Sequence, residues 1–111
     1  MNEQKLRGLI GLAVKARQAE TGMEACRILI RSGKCGILLI DGAAGPNTRK
    51  KAADLCAGAH TPLRRLPEGT VPEATGKNNI VIGLKKGSIA EEILRIMPEE
   101  TDSRSISPDP E

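Results

Sequence analysis

Residues 20–41 read ETGMEACRILIRSGKCGILLID and describe a capped helix followed by a buried strand. Thr21 and Glu24 have the S/T-x-x-E spacing of a capping box, in which the threonine hydroxyl takes one orphan amide and the glutamate returns to the threonine's own N–H. Gly22 falls in the first turn. Cys26, Leu29 and Ile30 recur at helical spacing and give one apolar face, while Arg27 and Arg31, four apart, project basic charge to solvent. Gly33 ends the helix. Residues 37–40, Ile-Leu-Leu-Ile, have no polar alternation, which suits a central strand covered on both faces and terminated by Asp41 and Gly42. A helix start rich in free N–H groups, a basic face behind it and a glycine-bearing strand exit can together hold an anion such as a phosphate backbone.

Upstream, Asn2 can cap a first helix in which Leu6, Leu9, Ile10 and Ala13 share a face, continuing to about Ala16. Gly8 and Gly11 inside it each cost about 1 kcal/mol relative to alanine, which suggests close helix packing. Residues 18–20 form a brief extended link. Downstream, a helix starting at Pro46 or Asn47 carries Ala52, Leu55, Cys56 and Ala59 inward. Its first turns hold Arg49, Lys50 and Lys51, where the helix dipole disfavours positive charge, so these cations do not serve helix stability. A short strand over 63–66 places Arg64 and Arg65 on opposite faces, and the proline before it suits a sheet edge. Thr70 with Glu73 and Ser88 with Glu91 repeat the capping-box spacing ahead of two further helices, with a buried strand over 79–84 between them. Pro98 closes the last helix. This alternation predicts an α/β fold, a three-layer α/β/α sandwich around a small mixed, mostly parallel sheet.

The chain of 111 residues forms one domain over 1–97, followed by an acidic Ser/Pro tail over 98–111 that lacks the hydrophobicity to order itself. That tail holds five acids against Arg104, a net of −4, which leaves +7 on the remainder from 16 basic and 9 acidic residues. Such an excess favours an anionic partner. Phe, Tyr and Trp are absent, so there is no aromatic platform of the kind that stacks single-stranded bases, although folded RNA remains compatible. Three cysteines at separations of nine and twenty-one offer neither a disulfide framework nor C-x-x-C metal spacing and read as reduced, small apolar side chains. No hydrophobic run is long enough for a signal peptide or membrane span, so a cytoplasmic location is expected.

Candidates for catalysis are few. The single histidine, His60, stands at a helix end and reads as a C-cap. The loop from Asp41 to Thr48 leaves a buried strand, is glycine-rich and enters a helix, but lacks both G-x-x-x-x-G-K-[ST] and G-x-G-x-x-G. A nucleotide-binding enzyme is therefore the least favoured alternative.

The serial order of elements, together with Gly22-x-Glu24, Ser32-Gly33, the strand ending at Asp41, the run Asn47-Thr48-Arg49-Lys50-Lys51 and Gly76-Lys77, resembles the ribosomal protein L-seven-Ae and L-thirty-e superfamily, especially its small bacterial members. The resemblance extends to Met97. It implies an α/β/α sandwich that binds kink-turn or related folded RNA, ribosomal RNA among the candidates, as a monomer with no catalysis, cofactor, metal or membrane partner. The family motif is glycine, any residue, asparagine and glutamate at the start of the second helix, with a lysine one turn on. Here Gly22 matches, whereas Glu24 and Ala25 stand at the asparagine and glutamate positions and Ile28 at the lysine position. The RNA-binding residues implied are Lys15, Arg17, Gln18, Gly22, Met23, Glu24, Arg27, Arg31, Asp41, Gly42, Gly76, Lys77 and Asn78. A protein-interaction module on the same fold is the principal alternative.

Overall fold

A computed structural model describes residues 2–76 and 78–98. Its elements are α1 (Glu3–Lys15), β1 (Ala19–Thr21), α2 (Met23–Arg31), β2 (Cys35–Asp41), α3 (Pro46–Ala59), β3 (Leu63–Leu66), α4 (Thr70–Thr75), β4 (Val81–Lys85) and α5 (Ser88–Ile96). Lys77 and the tail beyond Pro98 lie outside the described residues.

The strands form one sheet in the order β1-β4-β2-β3. Every residue of 37–40 is buried, and the run splits by alternation between the two faces as a central strand should. Ile37 and Leu39 join Ile82, Leu84 and the α1 side chains Leu6 and Ile10, with α4 and α5 on the same side. Leu38 and Ile40 join Cys26, Leu29 and Ile30 of α2 and Ala52 and Cys56 of α3. Helices thus cover both faces of a mixed sheet, and the sandwich is as expected. Its pairing is a correction: β2 is parallel to β3, but β4 is antiparallel to both β1 and β2. The cause is the connection after β3. Leu66 and Ile80 both lie at the Asp41 end of the sheet, and α4, with six residues, spans only about 9 Å, too little to carry the chain back for a parallel entry. The supposed link at 18–20 also contributes to the sheet, because Ala19, Glu20 and Thr21 pair with Leu84, Gly83 and Ile82 as β1.

Local expectations hold where a side chain decides them. Asn2 Oδ1 accepts the Lys5 N–H at 3.1 Å, and His60 closes α3 in the left-handed conformation. Arg64 and Arg65 do diverge: Arg64 is 7% exposed, with its Nε donating to the Met97 carbonyl at 2.6 Å and its Nη2 to that of Pro98 at 3.1 Å, which fastens the end of α5 to β3.

None of the three capping boxes forms. The N-caps are Gly22, Gly69 and Gly87, and no side chain caps α2, α4 or α5 from the cap position. Thr21 belongs to β1, while Glu24 pairs with Arg27 and Glu73 with Arg7 at 3.1 Å. The chain enters α2 with φ at Gly22 of +90° and α4 with φ at Gly69 of +91°, which glycine tolerates and threonine does not. All three cysteines are buried, and none forms a disulfide among the described residues. Burial pushes the Cys26 thiol up to about 12 and that of Cys35 to about 11, so both stay protonated and unreactive at neutral pH.

The glycines of α1 are not packing contacts. Nothing lies within 4 Å of a Cβ built on exposed Gly8, and one on Gly11 would meet Ala74 O at 3.8 Å, an ordinary contact. Gly8→Ala is therefore expected to stabilise the protein by about 0.5–1 kcal/mol in urea denaturation, chiefly by restricting the unfolded chain. Among the described residues, no helix is long and apolar enough to cross a membrane.

Candidate nucleic-acid interface

Several connections meet at the end of the sheet where β2 finishes. The Gly22 N–H donates to Val81 O at 3.0 Å and the Asp41 N–H to Ile80 O at 2.8 Å, which brings the start of α2, the exit of β2 and the entry of β4 side by side. Asp41 locks the arrangement. Its carboxylate is 0% exposed and accepts three backbone N–H groups: Ala43 at 3.0 Å and Gly69 at 2.9 Å on Oδ2, and Val71 at 2.9 Å on Oδ1. Asp41 is thus the cap of α4, supplied from across the fold, and it is an internal fastener instead of a ligand contact. Gly42 has a similar task. A Cβ there would lie 2.7 Å from Glu68 N and 2.8 Å from Leu66 O, so the two loops approach as closely as they do because residue 42 has no side chain.

Around this scaffold stand Gly22, Met23, Glu24 and Arg27 from the start of α2, with Gly76 and Asn78 leading into β4. The Gly22 amide is engaged and the first intrahelical bond runs from the Cys26 N–H to the Gly22 carbonyl at 3.1 Å, so among the described residues the donors left over in α2 are those of Met23, Glu24 and Ala25, in the first turn of a helix with no side-chain cap. Arg27 forms a two-pronged pair with Glu24: Nε meets Oε1 at 3.2 Å and Nη2 meets Oε2. The guanidinium holds the Glu24 carboxyl below the usual range, and in turn its own pKa is raised. Ile28, one turn on, is 61% exposed. Arg31 lies two turns from the helix start, where with Arg27, Lys51 and Asp54 it edges an open groove of about 570 Å³ between α2 and α3, floored by Ile30 and Leu55.

Three further residues at this end were not among the candidate RNA-binding residues. Arg49 Nε, Arg65 Nε and Asn79 Nδ2 are buried without a partner among the described residues, and Arg65 Nη2 donates to Gly42 O at 3.3 Å. The misplaced cations at the start of α3 were the available signal for Arg49, and Asn79 shares a loop with the candidate Asn78; nothing local marks Arg65.

Lys15, Arg17 and Gln18 do not join this group. Gln18 O accepts the Lys85 N–H at 2.8 Å, which puts the segment before β1 at the opposite end of the sheet. Lys77 lies outside the described residues. Among the described residues, no group of three or more His, Cys, Asp or Glu side chains is placed to hold a metal ion.

Over 90 residues the chain is 33% identical to the RNA-binding protein YlxQ of Enterococcus faecium, covering 80% of this chain and 87% of that one. A structure from Bacillus halodurans, of a protein described as having unknown function, superposes with a TM-score of 0.78 at 28% identity over 84% of this chain and 96% of the other. The 15.5kD RNA-binding protein of Giardia lamblia superposes with a TM-score of 0.73 over 86% of each chain; at 16% identity that is a likeness of fold. No protein-family model matches.

Proposed function

The chain belongs to the family of YlxQ, and on that premise we propose that it is a non-catalytic protein of the L-seven-Ae and L-thirty-e superfamily that binds folded RNA at the Asp41 end of its sheet. The observation that carries the reading is the uncapped start of α2, with Arg27 beside it and the Asn78 and Gly42 loops alongside. Phosphate oxygens meet the Met23, Glu24 and Ala25 amides, and Arg27 supplies charge. Its pairing with Glu24 fixes the guanidinium without removing its outward face. The RNA class is the kink-turn or a related internal loop, whose sharp backbone bend fits a protruding helix start flanked by two loops. Base reading at this surface is limited, since Ala25 has no group for a base edge, so shape and phosphate contacts set the preference. The protein acts as a cytoplasmic monomer, with ribosomal RNA as one candidate partner.

Two substitutions on α2 test the reading because they act in opposite directions. Arg27→Ala removes a cation and leaves Glu24 uncompensated, so gel-shift affinity for an internally looped RNA should fall several-fold while the melting temperature stays close to the parent's, as for an ordinary exposed ion pair. Ile28→Lys puts a cation on an exposed turn of the same helix and should tighten binding several-fold, more at low salt than at high salt. If neither variant shifts affinity, the RNA does not lie along α2.

A further inference from the structure

The opposite end of the sheet carries a second basic surface, assembled from three separate segments. The Gln18 carbonyl accepts the Lys85 N–H at 2.8 Å and the Lys34 carbonyl accepts the Lys86 N–H at 2.9 Å, so the turn after α1, the turn after α2 and the exit of β4 are stitched together by backbone. These turns bring along Lys15, Arg17, Lys34, Lys85 and Lys86. Lys15, Arg17, Lys34 and Lys86 are exposed and Lys85 is partly so. None of the five has an ion pair among the described residues, in contrast to Lys5, Arg7 and Arg95, which all do. The acid lining the same cleft as Lys86 is Glu91, which leaves the end strongly positive. Four residue steps of β4, from Val81 to Lys85, separate the two ends by roughly 13 Å of backbone before the side chains extend outward.

We propose that this end is a second RNA contact, which binds phosphate backbone outside the looped element held by the start of α2. The inference rests on the RNA-binding reading above and extends it to a two-ended protein. Charge complementarity selects the ligand. Unpaired like charges held close repel one another, and an anion relieves the repulsion. Four of the five are lysines, compact point charges without the forked geometry that reads guanine edges, so the contact takes backbone irrespective of sequence. Residues far apart in the chain form a spread surface, which suits a polyanion better than a compact metabolite.

The test uses the full chain and two RNAs: a minimal internally looped RNA, and the same loop with both flanking helices lengthened. The variant Lys34→Gln/Lys85→Gln/Lys86→Gln is compared with the parent and with the corresponding triple arginine variant. For the long RNA, triple glutamine should lower affinity at least tenfold and flatten the log–log salt dependence by about 0.9 for each phosphate no longer neutralised, on the duplex-DNA calibration. Affinity for the minimal RNA should stay within twofold, and triple arginine should restore the long-RNA affinity. Unchanged melting of the glutamine variant shows that the fold is intact. Parent-like binding of both RNAs by triple glutamine, with Arg27→Ala still weakening both, overturns the second contact and leaves the first standing. Equal loss on both RNAs also overturns it, because the two ends would then serve one site. Failure of the parent to bind either RNA removes the functional reading and this inference together. Binding of the parent to anionic vesicles through these lysines, with RNA affinity indifferent to them, assigns the surface to lipid and overturns the proposal.

Discussion

Asp41→Ala is expected to cost about 3–5 kcal/mol of stability, well beyond what an ordinary polar substitution costs. Three backbone N–H groups converge on a carboxylate that is 0% exposed, one from the loop after β2 and two from the start of α4. A hydrogen bond to a charged group contributes about 1.5–3 kcal/mol net, and a buried donor left without an acceptor costs about 1–3 kcal/mol, so removing three at once is severe even after water recovers part of it. In a domain of this size the melting temperature should fall by about 15 °C or more. Asp41→Asn should cost less, about 2–3 kcal/mol, because one oxygen still accepts while the amide NH₂ faces donors. Urea denaturation of the two variants measures both values. A loss below about 1 kcal/mol for alanine, the range of an ordinary substitution, would mean that the three amides find other partners and that Asp41 does not organise this end.

Gly22→Val is expected to lower RNA affinity at least tenfold and to cost about 1–3 kcal/mol of stability. Residue 22 has φ of +90°, a conformation that a β-branched residue adopts only under strain. Sequence alone suggests an effect on binding greater than that on folding; the positive φ adds a stability cost of its own. Among the described residues other than its chain neighbours, nothing lies within 4 Å of a Cβ built there, so the cost comes from the backbone and not from collision. That same open space is where a phosphate would approach the first turn of α2. Gly22→Ala separates the two causes: its backbone strain is about 1–3 kcal/mol, while its small side chain obstructs the approach less. Thr21→Ala, on the preceding strand residue, should cost under about 0.5 kcal/mol, not the ~1 kcal/mol of a lost cap. Melting curves with calorimetric titration of a looped RNA separate the two effects. If valine melts lower yet binds RNA like the parent, residue 22 is structural alone.

Much of the fold was legible because its signals are local. The continuous run at 37–40 announced a strand covered on both faces, and the apolar spacings of α1, α2 and α5 placed those helices correctly. Strand direction was not legible, because it depends on whether α4 is long enough to return the chain along the sheet. The capping boxes misled because S/T-x-x-E spacing says nothing about φ one residue away, and at α2 and α4 a neighbouring glycine with positive φ took the cap. Asp41 as the cap of α4 could not be found locally, since its partners lie 28 and 30 residues downstream. At the candidate site, the start of α2, the exit of β2 and the entry of β4 are hydrogen-bonded side by side. Lys15, Arg17 and Gln18, close in sequence to Gly22, are carried to the other end by the three residues of β1. Proximity along the chain had merged two surfaces that the sheet holds apart.

The central claim is that the chain binds folded RNA through phosphate contacts at the Asp41 end. It is tested most directly by titrating the purified protein with an internally looped RNA, and with a fully paired RNA of the same length and composition, at a series of salt concentrations. The looped RNA should bind more tightly, with log K falling linearly as log salt rises, by about 0.9 for each phosphate contact on the duplex-DNA calibration. Equal binding to both RNAs would contradict it by showing contact with any RNA backbone irrespective of shape, and binding that ignores salt, or none at all, would contradict it and point instead to a protein partner.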